Sequence, residues 1–457
     1  MLRSLLLALA LLWSAAFLAA DQVPGAAASG AAGPDLPSLQ AILDAAEEGT
    51  IVKLQPGRYR GPAVISRPLT LDGGGKAIID GGGKGTVLTI DTDGATVTGL
   101  TLTGSGESYN DIDSGIRVLE SRYNTVRDNV IEDSLFGIDL QQSSNNIVKR
   151  NSITSKDHSL GLRGDAIRLW YSFDNRITDN TVRNSRDLVV WYSGNNILAR
   201  NSVENGRYGI HFMYAKYNLI EDNSFRNNSV GIFLMYSDDV VIRNNFIFHA
   251  HGPAGMGVGM KESSNTEISG NQILYCGTGL YLDVSPFQPD TTNRVWDNTI
   301  AYSRIGVLFL NDWHGNVFKE NRFRDNIRQV SVAEYAGAAD NVWQGNYWDD
   351  YAGFDRDRDG RGDTAYEPKV YADRLWMDVP PAAFFLGTPL MSLVDFLERL
   401  APFSQPLLML RDESPQMHAD FTPTAAPREE GPSEGEAGTT TIDPFGLNDP
   451  GIGRSTQ

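Results

Sequence analysis

The chain has 457 residues, 41% of them hydrophobic, with 39 Lys and Arg against 57 Asp and Glu, for a formal net charge of −18. That length and apolar content can build a sizeable core, while the acidity argues against nucleic acid or an anionic membrane as partner. The single cysteine, Cys276, excludes an intrachain disulfide, and its place between apolar strand residues marks it as core.

Residues 1–20 read as a secretory signal: Arg3, an apolar run from Leu5 to Ala19, then small residues before Asp21. The run is short for a spanning helix and has no stop-transfer charges. From Leu36 to Glu48, Leu39, Ile42, Leu43 and Ala46 fall at helical spacing, with Asp35 as expected N-cap and Gly49 as stop. This helix is expected to cap a stack of strands whose edges would otherwise be open. Residues 51–103 read as irregular first coils with tight turns at Asp72–Gly75 and Asp80–Gly83. Neither turn is followed by the Lys-Ser/Thr of a phosphate loop. Residues 35–114 thus form an N-terminal cap with irregular coils.

Residues 115–348 carry a repeat. Asparagine, any residue, then Ile, Val, Phe or Trp returns at Asn129, Asn151, Asn180, Asn201, Asn223, Asn245, Asn271, Asn298, Asn321 and Asn346, at intervals of 22, 29, 21, 22, 22, 26, 27, 23 and 25 residues. Between them lie short period-2 apolar runs such as Gly209-Ile210-His211-Phe212-Met213, which is a strand signal. The period is half that of a propeller blade, and no helical stripe supports a helical repeat. The expected fold is therefore all-β: a right-handed parallel β-helix, with coils about 4.8 Å apart, a helical cap before it and a helical docking segment after it. The repeated asparagine should stack on itself inside a turn, its amide bonding to the coils on either side. Asparagine also tolerates the left-handed backbone of such bends. Insertions at 155–164, 249–260 and 283–292 lengthen individual coils, and insertions in repeat arrays often form the binding face.

Residues 349–411 follow as an Asp-rich loop and an apolar segment. Asp355, Asp357 and Asp359 precede Gly360, with Asp363 beyond, as in the start of a calcium loop. Tyr366 stands where a bidentate Glu should close it, so Asp363 or Glu367 would have to substitute, making calcium a candidate cofactor. Leu390, Leu393, Phe396, Leu397, Leu400 and Phe403 then offer apolar surface that either caps the C-terminal end of the repeat or docks on a partner. Residues 412–457 read as a disordered acidic tail.

Aligning the coils on Tyr171, Tyr192, Tyr214 and Tyr236 places Trp170, Trp191, Met213 and Met235 in one row. Alternation turns His211 and Met213 outward beside inward Ile210 and Phe212. Thioether and imidazole together suit Cu(I). His249, His251, Met256 and Met260 gather in the next insertion, so His211, Met213, Met235, His249, His251 and Met256 are the candidate copper ligands. Trp170 and Trp191 form a candidate surface platform. The competing class is a polysaccharide-acting enzyme (lyase, hydrolase or epimerase) or a sugar-binding rod. It would use Asp139, Asp165 and Asp187 near Arg168 and His211, but no tight acid–base signature stands out.

The stretches Asp165-Ala-Ile-Arg-Leu-Trp-Tyr-Ser172, Arg207-Tyr-Gly-Ile-His-Phe-Met-Tyr214, Val230-Gly-Ile-Phe-Leu-Met-Tyr-Ser237 and Gly345-Asn-Tyr-Trp-Asp-Asp-Tyr351 resemble the NosD family. Its members are periplasmic maturation factors for the copper enzyme nitrous oxide reductase. The resemblance spans about Asp35 to Met417. It implies a non-enzymatic periplasmic protein that works with an ABC-type ATPase and its membrane subunit. It also implies that copper comes from a lipoprotein chaperone, that the reductase's copper centres are the destination, and that the 390–410 region docks on the membrane subunit.

Overall fold

The computed structural model describes residues 36–252, 254–311, 314–333, 337–371, 379–385, 388–401 and 406–419. The expected signal segment, Phe403 and residues 420–457 of the expected tail lie outside these. Within them the chain forms a parallel β-helix. Each regular coil contributes one longer strand to a 12-stranded sheet and two short strands to a 24-stranded one. Strands Ser202–Glu204, Tyr208–Met213 and Leu219–Glu221 make one coil. Each pairs in parallel with its counterpart in the next, as in Val203↔Phe225, Phe212↔Leu234 and Ile220↔Ile242. These six side chains point inward and are buried, and the rows continue through the coils as one core. Cys276 belongs to that core, and burial pushes its thiol up to about 12, which keeps it protonated.

The asparagine ladder is present. Asn201 Nδ2 donates to Asn223 Oδ1 at 3.0 Å and to the Ile177 carbonyl at 2.8 Å, while Asn201 N also donates to Asn223 Oδ1 at 2.9 Å. One detail differs from expectation. The left-handed residue is the one before each asparagine, such as Asp179, Arg200, Asp222 and Asn244, and the ladder asparagine itself is not left-handed. The preceding residue makes the corner, and the asparagine amide then satisfies the backbone groups that the corner strands. A second ladder runs five residues upstream through Asn146, Asn175, Asn196 and Asn218, with the same contacts.

Both ends of the β-helix depart from expectation. The first helix, α1, is Leu39–Ala45, shorter than residues 36–48, and its N-cap is Ser38, whose Oγ accepts from Ala41 N. Asp35 lies outside the described residues. Leu39 and Leu43 are buried against the first coils, so the capping role holds. At the other end, Phe318 stacks on Trp343 and Phe323 on Trp348, at 4.2 and 4.4 Å between centroids, and Tyr366 stacks on Trp348 at 4.6 Å. Met409 and Leu410 close this end, next to the antiparallel pair Lys369–Val370 and Leu407–Leu408. The second helix, α2, Pro389–Leu400, buries no residue. The apolar segment therefore divides, residues 409–410 capping and α2 remaining exposed.

Asp412, expected in the disordered tail, is instead fully buried and ends the ladder. Its carboxylate accepts from Gly345 N and Asn346 N at 2.9 Å, Asn346 Nδ2 at 3.0 Å and Trp348 Nε1 at 3.2 Å. Asp412→Ala strands these donors and should cost about 3 kcal/mol. The expected readout is a lowered urea midpoint, with an exposed carboxylate such as Glu413 changed to Ala as the neutral control.

Candidate metal centre

The outer face of the 12-stranded sheet presents the predicted row in register: Trp170 pairs with Trp191, Trp191 with Met213, Met213 with Met235, and Met235 with Lys261. Both methionines are half-buried, with their strands' inner residues beside them fully buried. His211 stands on the same face, two residues before Met213. It is only 6% exposed. Tyr208 stacks on its ring at 4.7 Å, Trp191 meets it edge-on at 6.1 Å, and Phe233 lies at 6.2 Å. Neither imidazole nitrogen has a hydrogen-bond partner among the described residues, and Trp191 Nε1 is likewise buried and unpartnered. Burial lowers the pKa of the imidazole and outweighs the pull of Asp187 in the other direction, so the ring stays neutral with a lone pair available. A buried polar group with no partner is costly. In a native fold such a group calls for a physical cause, and a bound ion is one.

The structure separates the other candidates from this row. Met256 pairs in register with Val230, away from Met235, although its Sδ lies beside the space above Gly259 that the Phe233 ring also borders. Met260 points into the core and is excluded as a ligand. His249 and His251 stack on each other at 4.9 Å, exposed, in the turn before strand Met256–Lys261. They border a recess that does not include His211. Sequence spacing merges two groups that the coil geometry holds on different parts of the surface.

Trp170 and Trp191, the candidate platform, each carry a close neighbour on the ring. The Arg168 guanidinium lies over the Trp170 ring at 5.8 Å, and Trp191 packs on His211. Tyr171, Tyr192, Tyr214 and Tyr236 stack on one another at 4.9 to 5.2 Å, which uses their faces internally. The candidate acids are all occupied. Asp139 is buried between Arg117 and Arg168, Asp165 pairs with Arg186 at 2.9 Å, and Asp187 pairs with Arg207 and accepts from Tyr208 N. Desolvation pushes Asp165 up to about 6, with Arg186 opposing and Asp187 adding to it.

In the Asp-rich loop, Asp355, Asp357 and Asp359 bring carboxylate oxygens within 4.8 Å of one another. Asp363 turns to accept from Arg356 N instead, Tyr366 is stacked in the end cap with its hydroxyl on Asp350, and Glu367 pairs with Arg411. Three carboxylates converge and the closing ligand is not supplied by any of the residues expected to provide it.

The family model described as "Periplasmic copper-binding protein (NosD)" matches residues 75–163 and 152–353. A protein of Pseudomonas aeruginosa named "Probable ABC transporter binding protein NosD" is 33% identical over 402 residues, covering 82% of this chain and 89% of its own length. The chain belongs to the NosD family. A second NosD of the same description, from Stutzerimonas stutzeri, is 28% identical over 396 residues, 79% of this chain and 87% of the relative. Among solved structures, the A-module of the mannuronan C-5 epimerase AlgE6 of Azotobacter vinelandii superposes with a TM-score of 0.52 at 18% identity, over 69% of this chain and 97% of that one. That likeness is one of fold. The family is described as periplasmic, and among the described residues no helix is long and apolar enough to cross a membrane.

Sequence alternation places His211 outward, but not in an aromatic enclosure. Tyr208 and Phe233 escape a sequence reading because each looks like an ordinary strand aromatic until register puts it against the imidazole. His211→Leu should raise stability at pH 7 by about 1 kcal/mol, since it removes two stranded polar atoms. The gain should widen on acidification. The unfolded imidazole titrates near pH 6.5 and the folded one below it, so the native state of the wild type loses stability as pH falls from 6.5 toward the folded value. Thermal melts at pH 5 and pH 7.5 check both parts.

Proposed function

We propose that this NosD-family protein receives and passes on Cu(I) during assembly of the nitrous oxide reductase copper centres, with His211, Met213 and Met235 as the ion's ligands. The observation that carries the proposal is the buried neutral imidazole with both nitrogens unpartnered, on the same sheet face as two thioethers in register. Cu(I) is soft and accepts imidazole and thioether together. The copper is cargo here. The chain's own part is to keep the imidazole unprotonated, dry and fixed by Tyr208 and Phe233. The buried ion pairs at Asp139, Asp165 and Asp187 leave no free carboxylate at the row, which weighs against the polysaccharide-enzyme reading.

An exposed apolar face on α2 supports docking. Leu390, Leu393, Phe396, Leu397 and Leu400 are each 48 to 69% exposed and fall on i, i+3, i+4 spacing. An amphipathic helix of that kind suits a hydrophobic groove on a partner, here the membrane subunit of an ABC-type transporter whose ATPase drives it. A lipoprotein chaperone would donate the copper and the reductase would receive it.

Two outcomes are expected. In an anaerobic competition titration, Met213→Leu with Met235→Leu should weaken Cu(I) binding at least about tenfold, a loss of about 1.4 kcal/mol or more. Unchanged affinity would remove both methionines from the site. Leu393→Glu with Phe396→Glu should abolish co-purification with the transporter's membrane subunit. It should change the protein's own stability by no more than about 0.5 kcal/mol, because the two side chains touch little.

A further inference from the structure

We propose that His249 and His251 form a separate, exposed intake station for Cu(I), upstream of the buried row; this rests on the copper reading above. The two rings are held in one tautomer by their neighbours. His251 Nδ1 lies 3.1 Å from the His249 carbonyl oxygen, which can only accept, so Nδ1 carries the proton. His249 Nδ1 lies 2.9 Å from Asn227 Oδ1, and that amide is oriented by its own Nδ2 donating to Glu204 Oε1. Asn227 therefore presents oxygen, and His249 Nδ1 carries the proton as well. Both Nε2 atoms are left as lone pairs. Fixing one ring nitrogen as a donor to a carbonyl-type oxygen, so that the other binds metal, is the usual outer-shell arrangement of ligating histidines.

The turn at His249 accepts several residue types and does not itself require an imidazole. The turn position that His249 fills is held by Asn205 and Asn227 in the two preceding coils, at φ 59° and 53° against 60° for His249, and by Tyr275 and Tyr302 in the two that follow, at φ 55° and 57°. Asparagine serves that turn already, so the backbone does not explain the imidazole. Beside the pair lies a recess of about 390 Å³, lined by Leu160, Asn205, Gly206, Asn227 and Ser229. The recess is bordered by two of the three coil insertions, the one carrying Leu160 and the one carrying the histidines. Two imidazoles are an incomplete coordination set. The adjoining open space admits a donor that brings its own ligands, which is what stepwise ligand exchange needs. His211, enclosed by aromatic rings, is closed to such a donor. No redox change is involved: copper stays Cu(I), one donor ligand leaving as each imidazole binds.

The test uses the intact protein, with Cu(I) supplied as its bicinchoninate complex under anaerobic conditions. The variant His249→Asn with His251→Asn restores at 249 the residue the turn already accepts, so folding is preserved. The expected result is an equilibrium affinity within about twofold of wild type and a second-order transfer rate lowered about tenfold, because the accessible imidazoles that begin ligand exchange with the donor are gone. An unchanged rate overturns the station. A matching fall in equilibrium affinity also overturns it, since the histidines would then belong to the resting site. Binding that is indifferent to His211, Met213 and Met235 overturns the copper reading itself, and this proposal with it. A second readout needs no copper: nitrogen NMR should show Nδ1–H on both rings, and Nε2–H on either would remove the geometric basis.

Discussion

The asparagine ladder is the constraint on which the rest depends. Turning the chain sharply three times per coil strands backbone N–H and C=O groups inside the molecule, and a buried unpaired group costs as much as several good contacts return. At two of the three corners a primary amide resolves this, because Oδ1 accepts twice from the preceding coil and Nδ2 donates to the next coil's asparagine and to a carbonyl of the coil before. The ladder therefore fixes the register of every strand that follows it. Register in turn decides which side chains share a row on the outer face. The pairing Met213↔Met235 is a consequence of Asn201, Asn223 and Asn245 standing 22 residues apart.

That division also explains why the outer row is free to be unfavourable. Stability resides in the inward rows and the ladders, which bury apolar side chains and satisfy the backbone. The outward positions need only avoid disrupting the sheet. His211 is a local loss, a neutral imidazole enclosed by Tyr208, Trp191 and Phe233 with nothing to bond among the described residues. A repeat fold spreads its stability over many nearest-neighbour interfaces, so one such loss is tolerated. The Arg–Asp pairs at Asp139, Asp165 and Asp187 act differently. They neutralise charge on the same face and leave the soft donors as its distinctive chemistry.

The fold was legible because few architectures repeat a constant asparagine-to-apolar offset at a period of about 22 residues. The alternation Ile210, His211, Phe212, Met213 assigned the faces correctly. The second ladder was equally present in the sequence, as asparagines five residues before the first set at 146, 175, 196 and 218, and was simply less regular, since Val240 and Thr266 interrupt it. The C-terminal end was the hardest to read. Asp412 sits in a stretch rich in Pro, Glu and Ser, and composition pointed to disorder. What orders it is one contact set across 66 residues, to Asn346, which no local pattern encodes. The site was half legible for the same reason. Spacing gathered His249, His251 and Met256 with His211, whereas the coil path sends the first two to a turn and Met260 into the core.

The exposed helix α2 and the buried imidazole pose opposite problems for the same molecule. Five apolar side chains in water are a cost that association relieves, and a buried imidazole with no partner among the described residues is a cost on the inside of the fold. The cap formed by Trp348, Tyr366, Met409 and Leu410 lies between the last coil and the segment that leads to α2. The β-helix is thereby closed without α2, and the apolar face of α2 stays exposed. A helix that had been needed as the cap would have had its apolar face covered, as Leu39 and Leu43 of α1 are. That contrast between the two ends is the physical reason that one helix caps and the other is proposed to dock, although both carry the same amphipathic pattern.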